Sequence, residues 1–482
     1  MNQIVQEYEP VIGLEVHLQL STNSKVFCGC ANEFGGEPNS RTCPVCLGLP
    51  GSLPVLNKKA LEYAIKIALA LNCKVNPYIK FDRKNYYYPD LPKAYQISQY
   101  DKPIASNGYI MIPIDDGSFK KIRINRAHLE EDAGKLIHDS DGNCSLVDYN
   151  RTGTPLMEIV SEPDITSPTE AYEYLQSLKL LLQYLGVSDC DMEKGSLRCD
   201  ANISIRKKGD VKLGVKTELK NMNSFKAVKA ALEYEIVRHK KVICSGQEIV
   251  QETRLWDEER QATFAMRSKE DAHDYRYFPE PDLVPFVVEQ QVIDQIRDSL
   301  PELPMVKFNR FVNEYSVSEY DARILVQDKN LASFFEECFK YFSDVKKVCN
   351  WINGPLLKEL NSRKATISDI SLSAKELANL IKKVEDGELS NLAAKDVLTF
   401  MINTGKEADE IIKEKDLAQV SDDNALEKVV DEIIAENERA VLQIKQGKES
   451  AIGFLVGEGM KKTKGKANPK KIGEIIRKKL LG

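Results

Sequence analysis

Hydrophobic and polar residues alternate in several short stretches of roughly the first 290 residues, a pattern typical of half-buried β-strands. Residues 109–115 and 119–125 alternate in this way on either side of a turn-forming Asp-Asp-Gly-Ser sequence at 115–118, which predicts a β-hairpin. Residues 196–206 and 212–219 have the same character and predict two further strands.

Longer stretches of the same region carry apolar residues at the spacing of an amphipathic helix. Ser167, Pro168 and Glu170 have the residue types of an N-cap, a first-turn proline and the third helical residue of a capping box. The predicted helices cover residues 58–71, 168–185 and 225–242. Strands and helices together indicate an α+β region.

Beyond about residue 296 the strand patterns fade and helical spacing dominates. Ser373 and Glu376 form a second predicted capping box. Helices are predicted over residues 321–326, 331–342, 375–384, 425–435, 440–446, 449–460 and 469–480. We therefore expect an α+β protein with a large mixed domain over 1–295, a helical domain over 296–408 and a small helical tail domain over 409–482.

The composition fits this multidomain prediction. The chain has 482 residues, of which 42% are hydrophobic and 29% charged, so it can form several cores and a soluble surface. No stretch approaches the ~18 apolar residues of a membrane-spanning helix, and the first residues do not resemble an export signal. A cytoplasmic protein that does not contact a membrane is the expectation.

Charge is distributed unevenly. The chain carries a formal net charge of −6, yet residues 461–482 contain eight Lys and one Arg against one Glu. A basic segment of this kind attracts nucleic acid, although a solvated lysine tail is the commoner explanation of such a run.

Cysteine spacing gives the strongest local indication of a metal site. Four of the eleven cysteines lie within nineteen residues, as two close pairs separated by a short loop. Four thiolates can surround a zinc ion and leave no open position, so the predicted site is structural and would fasten the loop 28–46. Reduced thiols without metal are the alternative. The four residues are Cys28, Cys30, Cys43 and Cys46.

Acidic residues and one histidine suggest a second metal site. Glu15 and His17 are two residues apart in an alternating stretch, so a strand would place both on one face. Glu130 and Glu131 lie in an acidic triplet, and Asp200 lies in a strand-like segment. Brought together, these side chains would suit Mg²⁺ or Mn²⁺ bound to nucleotide phosphates, whereas each alone is more typical of a solvated loop or a core histidine.

Cations and aromatic residues alternate over 80–90, where Lys84 and Asn85 precede three tyrosines. Such a mixture can hold phosphates while a nucleobase stacks on a ring, and it can equally be a buried strand. The sequence has no G-x-x-x-x-G-K-[ST] phosphate loop and no G-x-S-x-G nucleophile motif.

Longer motifs carry a resemblance that spans nearly the whole chain. They are VIGLEVH at 11–17, KFDRKN at 80–85, KAYQIS at 93–98, LEEDAGK at 129–135, LVD at 146–148, GTPLMEIV at 153–160, GSLRCDAN at 195–202, ELKN at 218–221, DYRYFPEPD at 274–282, GFLVGEGM at 453–460 and KGKANP at 464–469. These motifs resemble those of the GatB/GatE family, the B subunits of tRNA-dependent amidotransferases.

The resemblance implies a cradle-shaped kinase domain, a helical domain and a YqeY-like tail that contacts tRNA. It implies that ATP phosphorylates the side-chain carboxylate of Glu-tRNA(Gln) or Asp-tRNA(Asn), and that ammonia then displaces the phosphate. The ammonia would come from an amidase subunit, GatA, with a small subunit, GatC, at the interface.

The same resemblance assigns site residues. It makes Glu15, His17, Asp200 and either Glu130 or Glu131 ligands of Mg²⁺, and Lys84 and Asn85 phosphate or substrate contacts. It also assigns the four cysteines to structural zinc. Two rival hypotheses are a non-catalytic tRNA-binding protein and a zinc-containing scaffold that only holds subunits together.

Overall fold

The computed structural model describes residues 7–138, 144–266, 275–415, 417, 423–446, 450–463 and 469–481. Asp274 of one motif, residues 464–468 of the C-terminal motif and the first residue of the helix predicted at 449 lie outside these ranges. The chain divides into two compact units, Met1–Met305 and Val306–Gly482.

A nine-stranded sheet is the framework of the first unit. Its strands are β1 Tyr8–Gln19, β2 Lys74–Val75, β6 Ala105–Pro113, β7 Phe119–Glu131, β10 Pro155–Ser161, β11 Leu197–Lys207, β12 Thr217–Lys220, β13 Glu252–Asp257 and β14 Ala262–Ala265. The strand order is β14-β13-β12-β11-β1-β10-β7-β6-β2, and every neighbouring pair is antiparallel except β12 and β13.

Three small sheets accompany the large one. Strand β5 contributes Ser98, which reaches β7 of the large sheet. The strands are β3 Tyr78–Ile79, β4 Asp82–Asn85, β5 Tyr95–Ser98, β8 Lys135–His138, β9 Ser145–Asp148, β15 Phe278–Pro279 and β16 Phe286–Val287. They pair as β15-β4-β5, β16-β3 and β8-β9.

Helices cover one face of the large sheet and form the main core with it. Leu14, Val16 and Leu18 of β1 point into this core together with Leu175 and Leu178 of the helix Pro168–Leu185. Because side chains alternate along a strand, the other face of β1 carries polar residues. The helices of this unit are α1 Pro44–Leu47, α2 Lys58–Ala70, α3 Pro168–Leu185, α4 Phe225–Cys244 and α5 Gln290–Asp298.

The described part of the second unit is helical and contains no strand. A separate cluster of buried apolar residues, including Leu426, Ile433, Leu455 and Ile472, joins its last four helices. The helices are α6 Pro304–Asn313, α7 Glu319–Val326, α8 Lys329–Tyr341, α9 Val345–Trp351, α10 Leu357–Arg363, α11 Ala374–Glu385, α12 Asn391–Thr404, α13 Ala408–Glu414, α14 Asp423–Glu436, α15 Glu438–Lys445, α16 Ser450–Lys462 and α17 Pro469–Leu481, with a π-helical turn at Ile352–Leu356 and a 3₁₀ turn at Ile367–Asp369.

The α+β prediction is confirmed, and most predicted elements appear within a few residues of their expected ends. Two details differ. Residues 212–216 are not a strand, and of the predicted strand only Thr217, Glu218 and Leu219 pair with β11. Glu170 accepts a hydrogen bond from the backbone N–H of Thr166 and not from that of Ser167, so the first capping box is only half formed, whereas the box at Ser373 is complete.

No helix in the described ranges is long and apolar enough to cross a bilayer. The division into domains at 295 and 408 remains a prediction.

Candidate functional site

Four neighbouring strands, β11, β1, β10 and β7, place polar side chains on the face of the sheet opposite the core. On β1, Glu15 is directly opposite Asp200 of β11, and His17 is directly opposite Glu158 of β10. Glu158 is in turn opposite His128 of β7. Residues opposite each other in a sheet share a face, so these side chains point in the same direction.

Two of these side chains, His17 and Glu158, form a compact cluster of candidate metal ligands with Glu130 of β7. One ligand atom from each of His17, Glu130 and Glu158 lies within 4.8 Å of the other two. His17 Nε2 is 3.6 Å from Glu158 Oε2, and Glu130 Oε2 accepts a 2.8 Å hydrogen bond from Ser98 Oγ. The cluster therefore joins β1, β7 and β10 of the large sheet to β5.

His128 contacts the carboxylates of both Glu130 and Glu158. Its Nε2 lies 3.0 Å from Glu158 Oε2 and 3.3 Å from Glu130 Oε2. Burial alone would lower the pKa of His128, but the adjacent Glu158 and Glu130 outweigh it and raise this pKa to about 9. The same contacts hold the pKa of both carboxyl groups below the usual range, against the effect of burial.

Lys84 of β4 contributes a positive charge at this cluster. Its pKa is raised above the usual value because Glu130, two tyrosines and Glu158 outweigh the effect of burial. The Lys84 ammonium lies 4.9 Å from the centre of the Tyr275 ring. Asn85 has a different environment, since its Nδ2 donates to the carbonyl oxygen of Arg276 at 2.8 Å.

The remaining predicted ligands lie outside the three-residue cluster. Asn202 Nδ2 donates to Glu15 Oε1 at 2.8 Å, and Lys220 Nζ is 3.1 Å from Asp200 Oδ2. Both acids share the polar face with His17. Glu131 projects the other way, where its carboxylate pairs with Lys93 and accepts from the backbone N–H of Ile97 at 2.9 Å. The structure thus brings Glu130, and not Glu131, to His17.

Several buried polar atoms on this face have no hydrogen-bond partner among the described residues. They are Nδ1 of His128, Nε of Arg198 and Oδ1 of Asn202. Buried polar groups are normally paired, so a surface with three unpaired ones is suited to a polar ligand.

A divalent cation fits the cluster. Two carboxylates and an imidazole are ligands that Mg²⁺ and Mn²⁺ accept. Opposite ligands of one Mg²⁺ ion stand about 4.2 Å apart, since each bond is about 2.1 Å. The candidate ligand atoms of His17, Glu130 and Glu158 are separated by at most 4.8 Å, which is close to that distance.

The four cysteines form a second candidate metal centre. Their sulfur atoms all lie within 4.8 Å of one another, and sulfurs around one zinc ion stand about 3.8 Å apart. The pKa of Cys46 is lowered to about 5, first by a hydrogen bond from the Cys28 thiol and then by the Cys43 backbone and Lys25. A sulfur that is readily ionised among three others is compatible with structural zinc.

The family follows from comparison with known proteins. The model of the GatB/GatE catalytic domain matches residues 10–294, and a GatB domain model matches residues 333–480. The chain belongs to the GatB/GatE family. It is therefore a tRNA-dependent amidotransferase protein of the B-subunit type.

The similarity to curated B subunits covers almost the full chain. The B subunit of an aspartyl/glutamyl-tRNA(Asn/Gln) amidotransferase from Carboxydothermus hydrogenoformans is 55% identical over 99% of both chains. Proteins with the same name from Thermoanaerobacter sp. strain X514 and Brevibacillus brevis are 54% and 53% identical, over 98% and 99% of this chain and 99% of each relative. The designation of a B subunit implies a complex of several subunits.

Sequence reasoning missed Glu158, one of the three residues of the cluster, and His128, which contacts Glu158 and Glu130. Glu158 is an acid within the otherwise apolar strand Pro155–Ser161, a position that costs free energy unless the charge has a partner. That isolated acid was the one local indication. His128 is two residues from Glu130, so the alternation of a strand would have placed both on one face.

Proposed function

We propose that this chain is the kinase and acceptor-binding subunit of a complex that converts Glu-tRNA(Gln) and Asp-tRNA(Asn) to Gln-tRNA(Gln) and Asn-tRNA(Asn). The cluster of His17, Glu130 and Glu158 carries the proposal, because it offers ligands for a divalent ion in a buried polar face. The names of the relatives support the choice of substrates.

The proposed reaction has two steps. An oxygen of the substrate's side-chain carboxylate attacks the γ-phosphorus of ATP, the bond to the β,γ-bridging oxygen breaks, and ADP leaves. Ammonia then attacks the carbonyl carbon of the acyl phosphate, loses a proton, and inorganic phosphate leaves. Phosphorylation is needed because a carboxylate repels nucleophiles and has no adequate leaving group.

A bound Mg²⁺ or Mn²⁺ ion would supply neutralisation of the phosphate charge. His17, Glu130 and Glu158 would hold it, while His128 keeps both carboxylates in place through its contacts at 3.0 and 3.3 Å. Glu15 and Asp200 lie further along the same face, and they are proposed to bind a neighbouring divalent ion.

Lys84 is proposed to bind transferring phosphate oxygens, since its ammonium lies close to the carboxylate cluster and is kept positively charged there. Asn85 would act through the backbone of the segment at 275–276, which its side chain holds. Glu131 is proposed to fix the end of β7, and so the direction of Glu130, through its ion pair with Lys93.

Ammonia has to reach this site from a partner. The proposal assigns its production to the amidase subunit GatA, with GatC as the third member of the complex. Structural zinc at the four cysteines and tRNA contacts by the C-terminal tail complete the proposed assignment.

The decisive experiment measures ADP formation by the purified complex with Glu-tRNA(Gln). Glu158→Gln removes one charged ligand with little change in volume, and we expect the tRNA-dependent rate to fall about 100- to 1,000-fold because a metal ion contributes several kcal/mol. Glu162→Gln is the matched control, since this acid lies just beyond the same strand and contacts Asn125 at the surface.

The outcomes separate the hypotheses. If the unsubstituted complex forms no ADP with either Glu-tRNA(Gln) or Asp-tRNA(Asn), the chain is a tRNA-binding or scaffold protein and the kinase proposal is wrong. If the complex is active and Glu158→Gln is equally active, the kinase proposal stands but the cluster is not its metal site.

A further inference from the structure

Lys25 is buried beside the four cysteines. Its side chain has no exposed surface and is among the largest fully buried side chains in the described residues. The ammonium donates to the carbonyl oxygen of Arg41 at 2.7 Å, and it lies 3.5 Å from the carbonyl oxygen of Tyr149 and 3.8 Å from Sγ of Cys46.

A backbone hydrogen bond and close packing hold the Lys25 side chain in this position. The backbone N–H of Lys25 donates to the carbonyl oxygen of Cys30 at 3.0 Å, which ties the residue to the first cysteine pair. On the other side, Gly153 has a φ of +81°, and a Cβ there would stand 3.5 Å from both Lys25 Cδ and Cys46 Cβ. Gly153 therefore packs against both the lysine stem and Cys46.

No carboxylate among the described residues lies within 4.0 Å of the Lys25 ammonium. A buried cation without a counter-charge is strongly unfavourable, and two carbonyl dipoles only partly compensate for lost hydration. The nearest group that can carry a full negative charge is the cysteine cluster. The Lys25 ammonium is within hydrogen-bonding distance of the Cys46 sulfur.

Charge arithmetic at a four-cysteine zinc centre matches this arrangement. Four thiolates and one Zn²⁺ ion leave a net charge of about −2. A buried centre with that charge needs a cation or hydrogen-bond donors close to its sulfurs. The Cys43 backbone N–H, 3.2 Å from Cys46 Sγ, supplies one donor, and Lys25 supplies a whole positive charge.

We propose that Lys25 is the counter-ion of the cysteine metal centre and stabilises the metal-bound tetrathiolate by its charge and its contact with Cys46. This inference rests on the proposed zinc occupancy. Lys25 would act through the ligands and not on the substrate, so removing its charge should weaken zinc retention before it affects the metal-independent parts of the fold.

The experiment compares three substitutions in the full-length protein. Lys25→Arg keeps the charge, Lys25→Gln keeps a donor for the carbonyl oxygens without the charge, and Lys25→Met keeps only an apolar stem. Zinc content is measured after purification without chelator, and the rate of zinc release into excess EDTA is then followed. Lys66→Met, at a lysine paired with Glu62 on α2, is the matched control.

We expect Lys25→Gln and Lys25→Met to release zinc about 10- to 100-fold faster, as for other groups that contact metal ligands, and Lys25→Arg to remain nearer the unsubstituted protein. Cobalt replacing zinc gives a second readout. The thiolate-to-cobalt charge-transfer band should shift to lower energy in Lys25→Gln, because uncompensated sulfurs are stronger electron donors.

A purely structural role predicts instead that Lys25→Gln behaves like the unsubstituted protein, and that result would overturn the proposal even if Lys25→Met fails to fold. Equal release rates in all variants would overturn it as well. Absence of zinc from the unsubstituted protein would be a different failure, because it refutes zinc occupancy itself, and the Lys25 proposal with it.

Discussion

At the scale of single residues, neighbouring cations and donors lower the pKa of several buried acids against the effect of burial. His128 has this effect on the polar face, and a second network has it at Glu235 of α4. There Glu235 is buried and lies 2.8 Å from Arg238, 3.3 Å from Arg254 and 3.3 Å from His239. Burial opposes ionisation, but these contacts outweigh it and lower the pKa of Glu235 to about 2.

The Glu235 network predicts a pH-dependent stability difference. A lowered pKa in the folded state stabilises the protein above the unfolded pKa of about 4.3, and this stabilisation is lost as the pH falls towards 2. We expect Glu235→Gln to reduce the free energy of unfolding by about 3 kcal/mol at pH 7. About 2 kcal/mol of that difference should be gone at pH 3.

Urea unfolding of both proteins between pH 7 and pH 3 measures this difference. Glu233→Gln, at an exposed acid on the same helix, is the control and should change the free energy of unfolding by less than about 0.5 kcal/mol. A constant difference between Glu235→Gln and the unsubstituted protein at all pH values would show that Glu235 is not the titrating group.

At the scale of elements, locally determined features were predictable and long-range ones were not. The helix at Pro168–Leu185 was predicted to the residue, because Ser167, Pro168 and Gly186 mark its ends within the sequence itself. The face shared by Glu15 and His17 also followed from strand alternation. Which strands flank β1 did not, since β10 and β11 reach it by pairing across more than a hundred residues.

The same limit explains the assignment of the carboxylates. Alternation separates Glu130 from Glu131 but does not say which face of β7 meets the face of His17. Only the antiparallel register of β7, β10 and β1 decides that question. Glu158 was missed for the same reason, because its partners come from other strands.

Packing of β6 against the end of α2 gives a prediction at this scale. A Cβ on Gly108 would stand 2.2 Å from Cys73 Sγ and 2.6 Å from the carbonyl oxygen of Leu71, which accepts from the neighbouring Tyr109 N–H. Because the backbone atom cannot move without breaking this hydrogen bond, Gly108→Ala should destabilise the protein by about 2 kcal/mol or more.

Thermal and urea unfolding measure the loss, with two comparisons. Gly453→Ala, at a helical glycine with open space around its Cβ position, should be neutral or stabilising. Adding Cys73→Ala to Gly108→Ala should recover only part of the loss, because the Leu71 carbonyl remains. Full recovery would mean that the sulfur alone determines the cost.

At the scale of the whole molecule, the charge distribution separates the C-terminal tail from the rest. Residues 461–482 carry eight Lys, one Arg and one Glu within a chain of net charge −6. Part of this positive charge is neutralised internally, since Lys462 pairs with Glu432 and Glu436, and Lys479 with Asp431. Arg477 and Lys478 are exposed on α17, and no carboxylate of the described residues lies within 4.0 Å of either cation.

If the tail binds tRNA as proposed, removing its exposed positive charges should weaken the affinity for tRNA. The double substitution Arg477→Glu and Lys478→Glu should weaken tRNA affinity and reduce the slope of log affinity against log salt by about 2, if each cation neutralises one phosphate. Filter binding or fluorescence anisotropy at several salt concentrations measures both quantities. The control is the double substitution Lys207→Glu and Lys208→Glu, which makes the same change in charge at two exposed residues where β11 ends.

Equal losses in the two double variants would indicate a general effect of net charge and no particular role for the tail. An unchanged salt slope in the tail variant would mean that Arg477 and Lys478 do not contact phosphates.

The two candidate metal centres also differ in when they can form during translation. All four cysteines precede Lys58 in the sequence, so the ribosome releases a complete set of sulfur ligands before the first long helix. The carboxylate cluster waits for Glu158, and its neighbour Asp200 comes later still. If zinc and a divalent cation occupy the two centres as proposed, a nascent chain has all its zinc ligands early, whereas the carboxylate cluster is complete only after Glu158 has been synthesised.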